Sequence, residues 1–535
     1  MSRFFLLTLC LAIAVPAWGQ PPRKGTLKDT EFVIEKERKN LLQEAARLFK
    51  SAPAAPRVAT PVQPLFVTPP TIHPTFDTLP RKIQLLRAKQ DVLTQLYSNY
   101  LQGGHGNFYA PYLEVFLANR RDPRYAYGLH FKHQSAGQTG YFEENHHLIQ
   151  LHGKRFIESL WAGGGALCYR RDSYPLYKPA STNGAALEKQ SIVQFTIHPT
   201  LTNYTEGPLN YQFDPSFHYV ATDKAQEIQG GIQGSGEYTL SDDFTFKAIT
   251  DLHFTKYNST PRHLYRFKPM LVFEVHRFDI QFSPNFVYQN DVSAEENSFK
   301  VYPVLEVKYP LHPWLRPYGG ISGDVQRNSL QSLLKENPRL AATPTLRHTN
   351  QPWLLYGGVR GDVMEQISFN TGLSAGKYQN LHCLVNSTDE PGRFDVCYDP
   401  AAQLYNIFGE LTHSNQADTW TTRLRGDYFH YNLQKLPQPW HRPRYQLDLL
   451  STYRWQDKVI LKGSVCCIGG IKAREGSTAK ALPTVFDASI RIDYLWNSRL
   501  SIFLDCQNLL VKCNERYLHY PSRGFQFVGG LTYAW

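Results

Sequence analysis

The chain has 535 residues, of which 13% are aromatic and 19% are charged, and its formal net charge is +11. Its mean hydropathy of -0.41 fits a soluble protein, and it equally fits a membrane β-barrel with a polar lumen and an aromatic girdle. The aromatic excess favours the barrel. The positive charge does not predict a nucleic-acid partner, because Arg and Lys are spread along the chain rather than gathered in one basic stripe. Positive loops of this kind suit the phosphates of lipopolysaccharide or simple solvation.

Residues 1–19 have the three parts of a secretory signal peptide. Arg3 provides the positive charge, residues 4–15 provide the apolar segment, and Ala17-Trp18-Gly19 provides small residues at the cleavage site. We therefore expect cleavage before Gln20 and export of the mature chain. Beyond this segment no stretch contains the ~18 consecutive apolar residues of a membrane-spanning helix, so entry into a membrane would require strands.

Residues 20–80 differ in composition from the rest of the chain. Residues 27–50 space their apolar side chains as an amphipathic helix does. Prolines then recur at short intervals until Pro80, which is typical of an extended linker. Two interpretations remain for this segment: a disordered tether, or a periplasmic arm that binds a partner protein or the mouth of the barrel.

Residues 81–535 alternate between strand-like segments and turns. The pattern predicts an all-β fold, a transmembrane antiparallel outer-membrane β-barrel of roughly 18 to 22 strands. The glycine clusters at 103–106 and 163–165 are predicted to be turns or bulges between strands. A short helix is predicted within 327–338. The long polar stretches are the predicted outside loops, residues 173–189, 327–351 and 384–400.

Residues 484–535 show the clearest alternation, in three successive segments. The first segment separates apolar from polar side chains, with Ala488, Ile490, Ile492 and Tyr494 opposite Asp487, Ser489, Arg491 and Asp493. The second segment, 499–508, repeats the pattern except that Phe503 interrupts its polar face. Such strands suit a barrel wall with one face toward lipid and one toward water. An edge strand of a soluble β-sandwich is the alternative.

The same alternation nominates two groups of functional residues. The predicted lumen-facing charges are Arg423, Arg425, Asp427, Arg491, Asp493 and Asp505. They have two interpretations: a network of opposite charges that braces a wide barrel, or a charged constriction that tunes selectivity. The aromatic and apolar face of the last strand is the predicted barrel-insertion signature, Phe525, Phe527, Leu531, Tyr533 and Trp535.

The C-terminal segments also form a recognisable series of motifs. The series consists of Leu482-Pro483, Phe486-Asp487-Ala488-Ser489, Arg499-Leu500-Ser501-Ile502-Phe503, Asn508-Leu509-Leu510, and Tyr520-Pro521 before Gly524-Phe525 and the aromatic terminus. It resembles the C-terminal barrel of TonB-dependent outer-membrane receptors, most clearly over 403–535. Val511 stands where those receptors have Asp or Asn. The resemblance implies an outer-membrane barrel with a receptor or transport role.

One departure limits what the resemblance implies. Those receptors carry a folded plug domain before the barrel and a short N-terminal box that engages an energy-transducing protein. Here only residues 20–80 separate the predicted signal peptide from the predicted barrel, so we expect no plug domain. The resemblance therefore implies fold, location and a transport-type role. It does not carry over energised uptake or any substrate-binding residue.

The sequence offers no catalytic signature. It contains no H-E-x-x-H, G-x-S-x-G or P-loop motif, so we expect no enzyme activity, no cofactor and no metal site. The chain has eight cysteines, of which Cys10 leaves with the predicted signal peptide. Cys383 and Cys397 flank a predicted loop, and they either pair in an oxidising compartment or remain free thiols.

These observations lead to two main functional hypotheses, with a lipid-modifying enzyme ranked far behind them. The leading hypothesis is a barrel of the TonB-dependent-receptor type in the outer membrane of a Gram-negative bacterium, which binds or transports solutes. The alternative is a non-transporting barrel that scaffolds a secretion or assembly complex. The expected partners are outer-membrane lipid and lipopolysaccharide, the barrel-assembly machinery at the C-terminal strand, and a periplasmic protein at residues 20–80.

Overall fold

The computed structural model describes residues 97–535 except 109, 120–121, 123, 138–142, 158–160, 178–187, 204–206, 242, 292–297, 418 and 513. The predicted signal peptide and the predicted helix and linker of residues 20–80 lie outside the described residues. Within the described part, the chain forms 29 strands and one short helix. No described helix has the length and apolar character needed to cross a bilayer.

The strands follow one another along the whole described chain. The first half contains β1 (Tyr100–Gly106), β2 (Ala110–Ala118), β3 (Tyr125–Ala136), β4 (Glu144–Ile157), β5 (Trp161–Pro175), β6 (Lys189–Asn203), β7 (Leu209–Ala221), β8 (Gln226–Ser241), β9 (Phe244–Tyr257), β10 (Thr260–Pro261), β11 (Leu264–Val275), β12 (Phe278–Gln289), β13 (Ser298–Lys308) and β14 (Leu315–Gln326). Helix α1 (Leu330–Glu336) comes next. The second half contains β15 (Thr349–Met364), β16 (Ile367–Gln379), β17 (Leu381–Asn386), β18 (Phe394–Asp399), β19 (Ala402–Ser414), β20 (Trp420–Leu433), β21 (Tyr445–Trp455), β22 (Val459–Gly469), β23 (Lys472–Glu475), β24 (Thr478–Ala481), β25 (Val485–Leu495), β26 (Leu500–Gln507), β27 (Glu515–Tyr517), β28 (Tyr520–Pro521) and β29 (Gln526–Ala534).

Twenty-two of these strands form one closed antiparallel barrel. Each wall strand pairs with the next wall strand along the chain. The barrel closes where β1 pairs with β29, from Tyr100 opposite Ala534 to Gly106 opposite Val528. The two-residue β10 extends the β9 hairpin, while β17–β18, β23–β24 and β27–β28 form separate two-stranded hairpins. Closure pairs every wall strand on both sides and leaves no sheet edge. The predicted fold class and strand number are confirmed.

The two faces of the wall carry different side chains. Outward-facing apolar side chains are widely exposed, for example Leu355, Leu373 and Ile407 at 56%, 60% and 61%. The other face points into the barrel, since Lys268 on β11 and Asp324 on β14 meet at 2.8 Å although β12 and β13 lie between their strands. The alternation of the sequence therefore becomes an apolar exterior around a polar interior, as in membrane barrels.

The glycine clusters do not form the predicted turns. Residues 103–106 lie inside β1 and residues 163–165 lie inside β5. A Cβ on Gly104 would sit 2.9 Å from both the carbonyl oxygen of Gly529 and Cζ of Phe503. A Cβ on Gly164 would sit 2.8 Å from the carbonyl oxygen of Gly153. These glycines lie where the backbone of a neighbouring strand or the Phe503 ring approaches closely. A glycine within a strand often marks such a close approach.

The connections differ in length between the two ends of the barrel. In the second half of the chain, the connections at one end are short, residues 309–314, 365–366, 415–419, 456–458 and 496–499. Those at the other end are long, residues 327–348, 380–401, 434–444, 470–484 and 508–525. We call these five long connections the loop cap. Helix α1 confirms the predicted helix within 327–338.

Candidate functional site

The loop cap has a hydrophobic core of its own. Leu330, Leu333 and Leu334 of α1 pack with Phe394 of β18, and all four side chains are at most 3% exposed. This cluster continues onto the barrel wall through Ile192. Removing such side chains from water provides the main driving force for the packing. The cap is therefore a folded layer that packs against the end of the barrel.

Helix α1 is held at its N-terminus by the wall. Ser329 is the N-cap, and it exchanges hydrogen bonds with Ser332 in a capping box. Glu227 of β8, which is 2% exposed, accepts a hydrogen bond from the Leu330 N–H at 2.9 Å. A carboxylate at this position satisfies a free backbone donor and complements the helix dipole.

A buried ion pair ties connection 327–348 to the residues that precede β11 and follow β12. Arg262 Nε and Asp291 Oδ1 are 2.9 Å apart, with side chains only 1% and 2% exposed. Arg262 also donates to the carbonyl oxygen of Asn328 at 2.9 Å. Asp291 in turn accepts from the backbone N–H of His348. Breaking one partner of such a pair would leave a buried charge without compensation.

A pocket of about 540 Å³ opens between the loop cap and the ends of wall strands. Glu144 of β4 lies between two of its guanidinium groups, at 2.9 Å from Arg339 and 3.1 Å from Arg523. The Arg339 guanidinium also stacks on Tyr520, 4.3 Å from the ring centroid. Nη1 of Arg516 is buried, and no atom of the described residues is its hydrogen-bond partner. The pocket is therefore lined by cationic side chains beside aromatic rings.

The aromatic part of the pocket comes from two connections. The rings of Tyr177 and His519 stack with centroids 4.6 Å apart and an interplanar angle of 9°. The Tyr177 backbone N–H donates to the Tyr520 hydroxyl at 2.9 Å, and that hydroxyl donates to the carbonyl oxygen of Gly392. Burial raises the pKa of Tyr520 above its usual value, so this hydroxyl stays protonated as a donor.

The predicted charges on β20 belong to one network. Arg423 and Arg425 both contact Glu410 of β19, at 2.9 Å and 3.2 Å. Arg425 also pairs with Asp427 at 2.8 Å. Their side chains lie on the face opposite Leu424 and its exposed neighbours. The sequence could not nominate Glu410, because its partnership depends on strand register.

The predicted charges on β25 and β26 form a second network. Arg491 pairs with Asp493 at 3.0 Å, and Arg491 lies opposite Asp505 in the register of the two strands. Lys462 of β22 is 3.8 Å from Asp493. Phe503, which interrupts the polar pattern, is 3% exposed and lies beneath the Arg491 guanidinium at 4.7 Å. Opposite charges in both networks make contact, and neither set lines the pocket.

The predicted insertion signature lies at the barrel seam. Phe527, Leu531 and Tyr533 are on the exposed face of β29, with exposures of 40%, 53% and 43%. Trp535 follows the strand and stacks on Tyr533, with centroids 5.8 Å apart. Phe525 precedes the strand and packs at 6.1 Å from Phe527. The exposed apolar side chains of β29 therefore lie beside its junction with β1.

Sequence reasoning missed the pocket. Its lining residues come from separated parts of the chain, including Glu144, Arg339 and Arg523. The one local signal was the concentration of basic and aromatic residues in Arg516-Tyr517-Leu518-His519-Tyr520. Within residues 97–535, apart from the undescribed gaps, no group of three or more His, Cys, Asp or Glu side chains is arranged to hold a metal ion.

The chain is similar in fold to several solved structures, among them an iron transporter and two receptors. The FrpB iron transporter from Neisseria meningitidis has a TM-score of 0.64 and 8% identity, covering 83% of this chain and 82% of its own. The ferric-catecholate import receptor Fiu from E. coli K12 has a TM-score of 0.60 and 9% identity, covering 82% of each chain. The siderophore receptor PirA from Acinetobacter baumannii has a TM-score of 0.60 and 10% identity, covering 82% of this chain and 80% of its own.

No family model matches the chain, and no curated protein matches it. At 8 to 10% identity, the solved structures establish a shared fold and not a shared ligand. At the level of fold, the predicted resemblance is confirmed: the chain folds as the barrel of TonB-dependent outer-membrane receptors does.

Proposed function

We propose that this chain is an outer-membrane barrel that binds a solute in the pocket under the loop cap and admits it to the lumen when the cap moves. The observation that carries this proposal is the pocket of about 540 Å³ between the cap and the wall, which Arg339, Arg516 and Arg523 line together with Tyr517 and Tyr520. Pockets with a few convergent polar groups are the usual binding sites of small molecules. The long connections face the cell exterior in this proposal, as in other outer-membrane barrels.

The similar solved structures support the transport role by analogy. They include an iron transporter, a ferric-catecholate import receptor and a siderophore receptor. A closed barrel with an apolar exterior and a polar interior suits the same membrane. We propose that the charge networks around Glu410 and Asp493 brace this interior, because each pairs opposite charges.

Single-channel conductance of the purified, refolded mature chain in a planar bilayer tests the transport role. We expect low conductance from the full chain, because the cap covers one end, and discrete conducting steps from Phe394→Ala, which removes a ring from the cap core. Phe278→Ala at the short-connection end is the matched control and should stay as silent as the unchanged chain. A folded Phe394→Ala barrel that does not conduct would contradict a gated pore and favour the scaffold alternative.

A separate experiment tests the role of residues 20–80. Deleting residues 20–80 leaves the barrel intact in this proposal. Conductance that appears only after the deletion would mean that this segment blocks the lumen, and co-purifying proteins lost with it would identify a periplasmic partner. Unchanged partners and unchanged conductance would contradict both roles.

We also propose that β29 directs insertion by the barrel-assembly machinery and that the exterior contacts lipopolysaccharide. The exposed Phe527, Tyr533 and Trp535 beside the seam support the first role. Deleting Trp535 should reduce the fraction of heat-modifiable, folded barrel in outer-membrane extracts. Replacing Trp314, which is also exposed but lies in a short connection, is the control.

A further inference from the structure

The hairpin of β17 and β18 places two cysteines directly opposite each other. Cys383 is the register partner of Cys397. Opposed residues of antiparallel strands have Cα atoms about 4.5 Å or about 5.5 Å apart, depending on the pair type. Disulfides span Cα separations of about 4.4–6.8 Å. Cys383 and Cys397 form a hydrogen-bonded pair, because the Ser387 N–H donates to the carbonyl oxygen of Arg393 and the two pair types alternate along the hairpin. The Cα separation of such a pair, about 5.5 Å, lies within the disulfide range, and the two side chains leave the hairpin on the same face. Their Cβ atoms move from about 4.5–5.5 Å to about 3.5–4.5 Å when the bond forms.

The other described cysteines have different cross-strand neighbours. Their register partners are Gln150 and Thr196 for Cys168, Asp448 and Asp487 for Cys466, Leu447 and Phe486 for Cys467, and Ile490 and Phe527 for Cys506. Among the cysteines that the structure describes, only Cys383 and Cys397 oppose each other. The juxtaposition is thus specific to the hairpin of the loop cap.

The two thiols are enclosed once the cap has packed. Cys383 is 1% exposed and packs with Val385 and Trp440, while Cys397 lies against the same cluster. Sγ of Cys397 is 3.4 Å from the carbonyl oxygen of Cys383. Burial raises the pKa of Cys397 to about 12, so the packed thiol rarely forms the reactive thiolate. A bond between them must therefore form before the hairpin docks.

We propose that Cys383 and Cys397 form a structural disulfide that closes the β17–β18 hairpin of the loop cap. The Sγ–Sγ bond forms as the two thiols lose two electrons and two protons to the disulfide of a thiol oxidoreductase, which leaves as a dithiol. The proposal rests on the proposed export, because such oxidants act outside the cytosol. The bond fixes the hairpin that contributes Leu384 and Phe394 to the cap core.

Peptide mapping of the full chain from outer-membrane extracts tests the bond. The chain is denatured in the presence of N-ethylmaleimide without reductant and is then digested. Denaturation is needed because burial in the native chain would itself protect free thiols from alkylation. We expect a cross-linked product containing Cys383 and Cys397, which reduction converts into two alkylated peptides. Alkylation of both cysteines before reduction would overturn the proposal.

Matched variants make the mapping specific. Cys397→Ser should turn Cys383 into an alkylated thiol, whereas Cys466→Ser on the wall should leave the cross-linked product unchanged. Loss of the product in Cys466→Ser would overturn the assignment. In the unchanged chain, reduction should speed amide hydrogen exchange of β17 and β18 by about tenfold or more, because the loop constraint is removed. An unchanged rate would overturn the structural role.

A refolded chain separates this proposal from the proposed function. Full-length protein refolded from inclusion bodies with oxidised glutathione should form the same intramolecular bond. Mixed glutathione disulfides at both positions would overturn the pairing. The mapping does not depend on conductance, so a bonded but non-conducting barrel supports the disulfide while it contradicts the transport role.

Discussion

The imidazole Nδ1 of His441 donates a hydrogen bond to the carbonyl oxygen of Leu384 at 2.8 Å. Its Nε2 accepts from the backbone N–H of Leu518 at 3.4 Å, and the backbone N–H of His441 donates to the carbonyl oxygen of Lys472 at 2.9 Å. A single residue of connection 434–444 therefore joins three other connections of the loop cap. This arrangement requires neutral imidazole, because a protonated ring has no acceptor nitrogen.

We expect the loop cap to loosen as the pH falls. Burial lowers the pKa of His441 to about 4 when the cap is docked, whereas a released histidine has a pKa of about 6.5. Above about pH 6.5 both forms are neutral, so docking is independent of this group. Between about pH 6.5 and about pH 4 the released form binds a proton that the docked form excludes, which favours release by up to about 3 kcal/mol.

Hydrogen exchange of the β17 amides, corrected for intrinsic rates, measures this pH dependence. Burial also lowers the pKa of His348, to about 3, and this group acts in the same direction. Burial also lowers the pKa of His382 on β17, which contributes with the same sign. His441→Gln should therefore remove part of the dependence, and the double variant with His348→Gln should remove a larger part. A double variant with the full dependence would contradict the assignment.

Leu333→Ala should detach the cap without unfolding the barrel. Leu333 is 1% exposed in the cap core, and truncating such a side chain costs about 2–5 kcal/mol through lost burial and a cavity. Limited proteolysis within connection 327–348 measures the loss. Leu311→Ala, at a 55% exposed position in a short connection, is the matched control and should change nothing. Equal cleavage of both variants would mean that α1 does not hold the cap.

Asp291→Asn should be more harmful than removing the whole buried ion pair. The substitution leaves the Arg262 guanidinium charged and buried, at a cost of about 3–5 kcal/mol. A double substitution of Arg262→Met with Asp291→Leu removes both charges and should recover much of the loss. Denaturant titration of the refolded barrel provides the comparison. A double variant as unstable as Asp291→Asn would refute the electrostatic explanation.

Gly530→Ala should block closure of the barrel. A Cβ at Gly530 would collide with the carbonyl oxygen of Gly103 and lie 2.6 Å from Cα of Gly104 and 2.7 Å from the Phe503 ring. Gly463→Ala on β22 is the control, since no atom lies within 4 Å of its Cβ position. The heat-modifiable fraction on a denaturing gel reports closure. A fully closed Gly530→Ala barrel would show that the seam can shift.

The wall of the barrel was predictable because its information is local. The alternation predicted a strand over 499–508, and β26 occupies Leu500–Gln507. Phe503 looked like an exception to the polar face. Its side chain does face inward, where Arg491 covers it and Gly104 and Gly530 leave space for it. A period-2 pattern specifies which side chains share a face of the sheet. The positions that require glycine depend instead on residues that are distant in the sequence.

The cap and its pocket were not predictable in the same way. Arg393 donates to Gln190, 203 positions earlier in the chain, and Tyr517 donates to the carbonyl oxygen of Glu336, 181 positions earlier. No repeating period connects such residues. Helix α1 was the exception, because its N-cap Ser329 and its apolar spacing are local signals.

The pairing of β1 with β29 makes closure of the barrel depend on the two wall strands that lie farthest apart in the described chain. A chain that ends before Gln526 lacks the partner of both β1 and β26, and it would present two unpaired strand edges instead of none. Unpaired edges invite aggregation and proteolysis. Shielding of the backbone from the bilayer therefore requires both β1 and β29 to be in place at the seam.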